Sequence, residues 1–185
     1  MNSEHRIQHR LAIAALGFVM AMICALPTAA QPRERVSPHE KAEGVIGGKT
    51  LTIEYGRPSI KGRELFGNLI PFGQVWRLGA DEATKLTTPV DNDINGLKVP
   101  AGTYSLFMLV ADTGETQLIV NKVANQWGAF KYDAAQDLGR VPVAGSRDNP
   151  VTETLTISIE SSGDKAGRIR FAWGDGVAVA FVKVL

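Results

Sequence analysis

The chain has 185 residues, with 20 Lys plus Arg against 19 Asp plus Glu, three His and a single Cys. That near-balance offers no basic stripe of the kind nucleic acid or an anionic membrane surface requires, and a lone Cys excludes a disulfide framework. His5, His9 and Cys24 all fall near the start, so later residues retain only His39. Zinc sites and His-based nucleophile triads therefore lack their usual side chains.

Arg6 and Arg10 precede an unbroken apolar run from Leu11 to Leu26, followed by Pro27-Thr28-Ala29-Ala30. This order reads as a secretory signal peptide over residues 1–30, cleaved after Ala30. The run is shorter than the roughly 20 residues of a spanning helix. Cys24 follows Ala21-Met22-Ile23 and lacks the small preceding residue of a lipobox, so neither a lipid anchor nor membrane insertion after cleavage is expected. The expected product is exported, periplasmic or secreted, without metal or other cofactor. Past residue 30 the basic and acidic residues are equal in number. Residues 31–48 read as a polar N-terminal segment that includes His39, and 49–185 as a single domain.

Alternation begins at Lys49, where Leu51, Ile53 and Tyr55 share one face and Thr52 and Glu54 the other, the pattern of a half-buried strand. A short helical turn is expected near Arg63 to Gly67. Thr103 to Val110 is apolar almost throughout and pairs, across Asp112-Thr113-Gly114, with Gln117 to Val120 as a central hairpin. Ala134 to Asp137 suits a second helical turn. Leu155, Ile157 and Ile159 alternate with polar residues, as do Ile169, Phe171 and Trp173, and Gly174-Asp175-Gly176 leads tightly into a last strand from Val177 to Val182. About eight strands and no amphipathic helix predict an all-β fold: a single antiparallel two-sheet β-sandwich, jelly-roll-like, with one long irregular loop.

Asp91-Asn92-Asp93-Ile94-Asn95-Gly96 imitates the first half of a calcium loop, but the twelfth position, which should be Glu, is Gly102. Asn95-Gly96 between Ile94 and Leu97 is better read as the centre of a type I′ hairpin.

Four blocks remain that are too specific in composition for plain loop or core: Gly56 to Gly67 (GRPSIKGRELFG), Val75 to Thr84 (VWRLGADEAT), Val99 to Phe107 (VPAGTYSLF) and Asn125 to Phe130 (NQWGAF). In order and spacing they resemble the exported bacterial domain of unknown function family 2911, over most of the chain from about Lys49 onward. The resemblance implies an envelope protein and brings no established activity. The family's usual Gly-Ala-Asn-Glu is here Gly79-Ala80-Asp81-Glu82, which adds a negative charge.

Each block has a plain reading and a functional one. Trp76 and Arg77 are strand neighbours and must face opposite sides, with Trp76 buried and Arg77 paired to Asp81 or Glu82, or else with Arg57, Arg63 and Arg77 converging on an anion through their guanidinium forks. The glycines around these arginines suit a long connection held in a fixed shape. Trp127 and Tyr132, with Asn125, Gln126 and Asp133, supply apolar plates and directional polar groups as a sugar-binding face would. The plain alternative has Trp127 and Phe130 capping the core. The favoured expectation is a non-catalytic envelope module binding a glycan, peptide or partner protein through Arg57, Arg63, Arg77, Trp127 and Tyr132. The alternative is a carboxylate-dependent hydrolase or lyase acting on an envelope glycan, with Glu82 and either Glu64 or Asp81 as acid and base. Asp81 and Glu82 cannot themselves be the pair, because strand neighbours point to opposite faces. A purely structural envelope domain is the third reading.

Overall fold

The computed structural model describes residues 35–147 and 149–185. The signal-peptide reading of residues 1–30, with its cleavage point and Cys24, lies outside the described residues. Two antiparallel sheets pack face to face as a β-sandwich. The strands are β1 (His39–Ile46), β2 (Lys49–Gly56), β3 (Val75–Trp76), β4 (Ala80–Thr88), β5 (Asn92–Ile94), β6 (Leu97–Val99), β7 (Gly102–Val110), β8 (Thr116–Asn121), β9 (Asp137–Pro142), β10 (Ala144–Ser146), β11 (Thr152–Ser161), β12 (Ala166–Gly174) and β13 (Gly176–Val184).

The first sheet runs β1-β2-β4-β7-β8-β9, with β3 continuing β4's place along β7. The second runs β11-β12-β13, and β5 and β10 share the far edge of β13, with β6 beyond β5. Leu51 and Ile53 of β2, Leu106 and Met108 of β7, Ile157 and Ile159 of β11 and Phe171 and Trp173 of β12 meet in one core, as period-2 alternation requires.

Three sequence expectations change. The sheet begins with β1, inside the segment read as a polar tail. As an edge strand β1 is polar and solvated over most of its length, so it shows no hydrophobic alternation until Ile46. The expected turn at Arg63–Gly67 is not helical. There, Gly67 and Ile70 bond across a small irregular loop. The turn at Ala134–Gln136 is a short 3₁₀ segment capped by Asp133. The extra strands beyond the expected eight include pieces of two or three residues, too short to carry a periodic signal.

β7 is apolar from Leu106 to Val110 because that stretch is covered on both faces. Tyr104, Leu106, Met108 and Val110 enter the main core, while Phe107 and Ile119 of β8 point outward under the 122–136 connection with Ala83, Ala129 and Tyr132. Asn95 and Gly96 (φ 47° and 91°) make the expected type I′ turn between β5 and β6. In the segment read as a calcium-loop imitation, one oxygen of each candidate side chain serves the turn: Asp91 Oδ1 accepts Ala101 N–H, Asp93 Oδ1 accepts Gly96 N–H, and Asn95 Oδ1 accepts Phe181 N–H.

Candidate functional site

Gly56 and Gly79, from two of the distinctive blocks, are where β2 and β4 cross most closely. A Cβ at Gly56 would lie 2.1 Å from the Ala80 carbonyl oxygen, and one at Gly79 would lie 2.8 Å from the Gly56 carbonyl oxygen. Beyond this crossing β4 bulges: Gly56 pairs with Ala80 but Glu54 with Lys85, so residues 81–84 stand against Tyr55 alone. Leu78 and Asp81 take left-handed φ of 57° and 61°, uncommon for residues with a side chain. The bulge is pinned by Thr84, whose N–H donates to Arg77 O and whose hydroxyl donates to Leu78 O at 2.7 Å.

The consequence is a trough of about 400 Å³ on the flank of the first sheet, where Glu54, Glu82, Lys85, His39 and Arg35 meet Asn125, Gln126 and Trp127. The 122–136 connection brings in the last three by strand-like pairing: Ala83 N–H donates to Gln126 O, and Glu82 bridges Trp127. Asn121, fully buried, holds the connection's shape. Its amide donates to Asp133 O and Asp137 Oδ1, and its oxygen accepts Val123 N–H and Gln126 Nε2.

Arg35 donates to Glu82 Oε1 from Nη2 at 2.7 Å and from Nε at 2.9 Å, and His39 Nε2 donates to Glu82 Oε2 at 2.8 Å. Burial pushes the Glu82 carboxyl up, but the bonds from Arg35, its own backbone and His39 together hold it below the ordinary carboxylate range. Asp81 accepts Ser37 N–H. Because of the bulge, both neighbours reach the same 35–39 segment rather than opposite faces, which corrects the strand-alternation argument. Neither is Arg77's partner.

The five expected binding residues are not gathered in one place. Arg57 staples the two sheets, donating to Glu40 Oε1 of β1 and to Leu155 O and Thr156 Oγ1 of β11. Arg63 closes its own loop through Ser59 O and Ile60 O. Arg77 lies with its stem against Gly128, its Nε buried without an acceptor among the described residues. The three guanidinium groups thus have three separate surroundings and do not form an anion cluster. Trp76 is buried and stacks on Trp173 of the opposite sheet (centroids 5.8 Å apart, 14° between planes), as the plain reading expects.

Trp127 and Tyr132 also part company. Trp127 lines the trough, whereas Tyr132 packs edge-on against Phe107 with centroids 5.0 Å apart, donates to Asp137 Oδ2 at 2.6 Å and accepts from Arg140. Burial, then the bond and charge of Asp137, push its phenol up to about 12 despite Arg140. Phe130 is 80% exposed and does not cap the core. Glu64 sits exposed on the 57–74 loop outside the trough, where the second carboxylate is Glu54, 3.5 Å from Lys85. Arg35, His39, Glu54 and Lys85 were missed by sequence reasoning. The one available signal was that Glu54 occupies the wet face of an alternating strand, and its partner Lys85 becomes visible only once the register is known.

A second recess lies at the end of the sandwich where the β7–β8 and β12–β13 turns sit. It is an apolar cavity of about 230 Å³ between Trp76, Met108 and Val110 of the first sheet and Phe171, Trp173 and Ala178 of the second, roofed by Phe66 and Phe72 of the 57–74 loop.

Among the described residues, fold and sites define a two-sheet sandwich with a polar trough on the flank of one sheet and an apolar recess at one end. The family model described as "Protein of unknown function (DUF2911)" matches residues 37–181, and the chain belongs to that family. No curated protein and no solved structure matches it.

Proposed function

We propose that this chain is an exported, non-catalytic binding module of the cell envelope that holds a glycan in the trough beside Trp127. The observation that carries the reading is the composition of the trough: one indole flanked by the amides of Asn125 and Gln126, the carboxylates of Glu54 and Glu82 and the ammonium of Lys85. An apolar plate among directional donors and acceptors suits the faces and hydroxyls of a sugar ring. The apolar run from Leu11 to Leu26 with its small-residue exit supports export.

The hydrolase reading is weaker on chemical grounds. A glycosidase acid must keep a proton at working pH. The bonds from Arg35 and His39 favour the ionised form of Glu82, which suits a base or nucleophile but not the acid; the trough's other carboxylate, Glu54, is paired with Lys85, and Glu64 stands outside the trough.

The test is a thermal-shift and calorimetric titration of the protein against cell-wall oligosaccharides, with Trp127→Ala and Lys85→Ala alongside the parent. Saturating ligand at a hundredfold excess over Kd should stabilise by about 2.7 kcal/mol, and Trp127→Ala should abolish the shift without unfolding the protein. Absence of any shift, or one indifferent to Trp127, would overturn the glycan assignment. Release of reducing ends during the titration would overturn the non-catalytic one.

A further inference from the structure

We propose that the apolar cavity at the end of the sandwich is a second, separate binding site, and that it takes a medium-chain carboxylic acid. The recess is half open to solvent, and its volume is about 230 Å³. It is about one and a half times the roughly 150 Å³ that holds one benzene, which scales to roughly nine carbon atoms. Small residues keep it open: Ala178, Gly176 and Gly145 line it where larger apolar side chains would close it. The stacked indoles of Trp76 and Trp173 form part of the wall, so the site would bury hydrocarbon against aromatic faces.

The head group is argued from the rim. Arg147 lies with its guanidinium carbon 3.6 Å from the Phe66 ring centroid, half-exposed, at the mouth of the cavity. Its one ion pair among the described residues, Nε to Asp175 Oδ2, is 3.5 Å long, well beyond the roughly 2.7–2.9 Å of a tight charge-assisted bond. Among the described residues its two terminal nitrogens have no hydrogen-bond acceptor. A planar fork held over an aromatic ring at the edge of an apolar pocket matches a carboxylate whose chain points inward. Among the described residues two carboxylates stand near the mouth: Asp112 on the lining, which disfavours an acid on its own side, and Asp175, whose long contact with Arg147 an incoming carboxylate would have to displace.

The experiment uses the three Trp residues of the chain. In full-length Trp127→Phe protein the remaining indoles, Trp76 and Trp173, both face the cavity, and octanoate carrying bromine at its terminal carbon quenches them only on contact. We expect saturable quenching. Unlabelled octanoate should displace the probe, and its methyl ester should do so about tenfold less well. Ala178→Leu, which fills the space, should remove the quenching. Should that variant fail to fold, Ala178→Val should weaken it in proportion. Arg147→Gln should erase the preference for acid over ester. No saturable quenching, or quenching unchanged by filling the cavity, would overturn the site. Equal displacement by acid and ester in the parent protein, as an esterified lipid chain would give, would overturn the carboxylic-acid assignment. Neither result bears on Trp127 or on glycan binding.

Discussion

The end cavity and the flank trough differ in how each is built and in what would disturb it. The cavity is a gap in the main core, its walls supplied by alternating residues from both sheets and its roof by an aromatic loop. The trough is a place where alternation fails, a bulge in β4 overlaid by the 35–39 segment and the 122–136 connection. The cavity therefore depends on packing and is insensitive to mild changes of pH, whereas the trough depends on charge-assisted hydrogen bonds. In this sandwich the apolar recess comes from leaving the core short of side chains, and the polar one from breaking a strand's register.

That contrast can be tested most strongly with the indoles. Trp173 is buried and stacked on Trp76, and its Nε1 donates to Glu153 O, so Trp173→Ala should cost about 3–5 kcal/mol in urea unfolding. Trp127→Ala, at a half-buried position outside the main core, should cost well under half of that. Equal losses would mean that Trp127 is a packing residue and that the trough is structural.

A smaller effect sharpens the role of Tyr132. Tyr132→Phe removes the bonds to Asp137 and Arg140 that hold the 122–136 connection down and should cost about 1 kcal/mol. Burial and the bond to Asp137 push the folded phenol up to about 12, above the ordinary tyrosine value of about 10. Its contribution is thus fully present below pH 10 and is lost as pH rises through the folded value. The parent's stability should fall over that alkaline window more steeply than the variant's.

The smallest effect distinguishes the recesses by acid. Despite burial, Arg35 and His39 hold Glu82 below the ordinary glutamate range, so what it contributes is present above the unfolded value and disappears as pH falls through the lower folded one. Its side chain is a third exposed, so screening keeps the contribution small. Denaturation of the parent should show an extra loss of stability below pH 4.5 that Glu82→Gln lacks, and added salt should reduce it. Quenching of Trp76 and Trp173 by an uncharged apolar probe should not follow that titration.

Much of the architecture was legible because burial on one face leaves a period of two. β2, β11, β12 and β13 were read almost to their ends, and the Asn95-Gly96 turn was read in both place and type. β1 was not, because an edge strand facing water has no apolar stripe to reveal it. The candidate site was legible only in part. Trp127 and Glu82 were singled out and do meet, but Arg57, Arg63 and Tyr132 have structural partners distant in sequence or within their own turns. Arg57 and Arg63 serve backbone carbonyls of irregular connections, which need strong donors, and Tyr132 donates to the Asp137 carboxylate; such partners carry no periodic signal in the sequence.

The sequence by itself determined the all-β class, the family, and the shortage of His and Cys that narrows the possible chemistry. These rest on composition, local periodicity and ordered motifs, all of which are properties of the chain alone. The tertiary structure decided which side chains share a recess. Glu82 meets His39 across 43 positions only because β1 folds onto β2 and the bulge in β4 turns two neighbouring carboxylates to the same side. The end cavity, likewise, exists only where two sheets and a loop fail to fill the space between them.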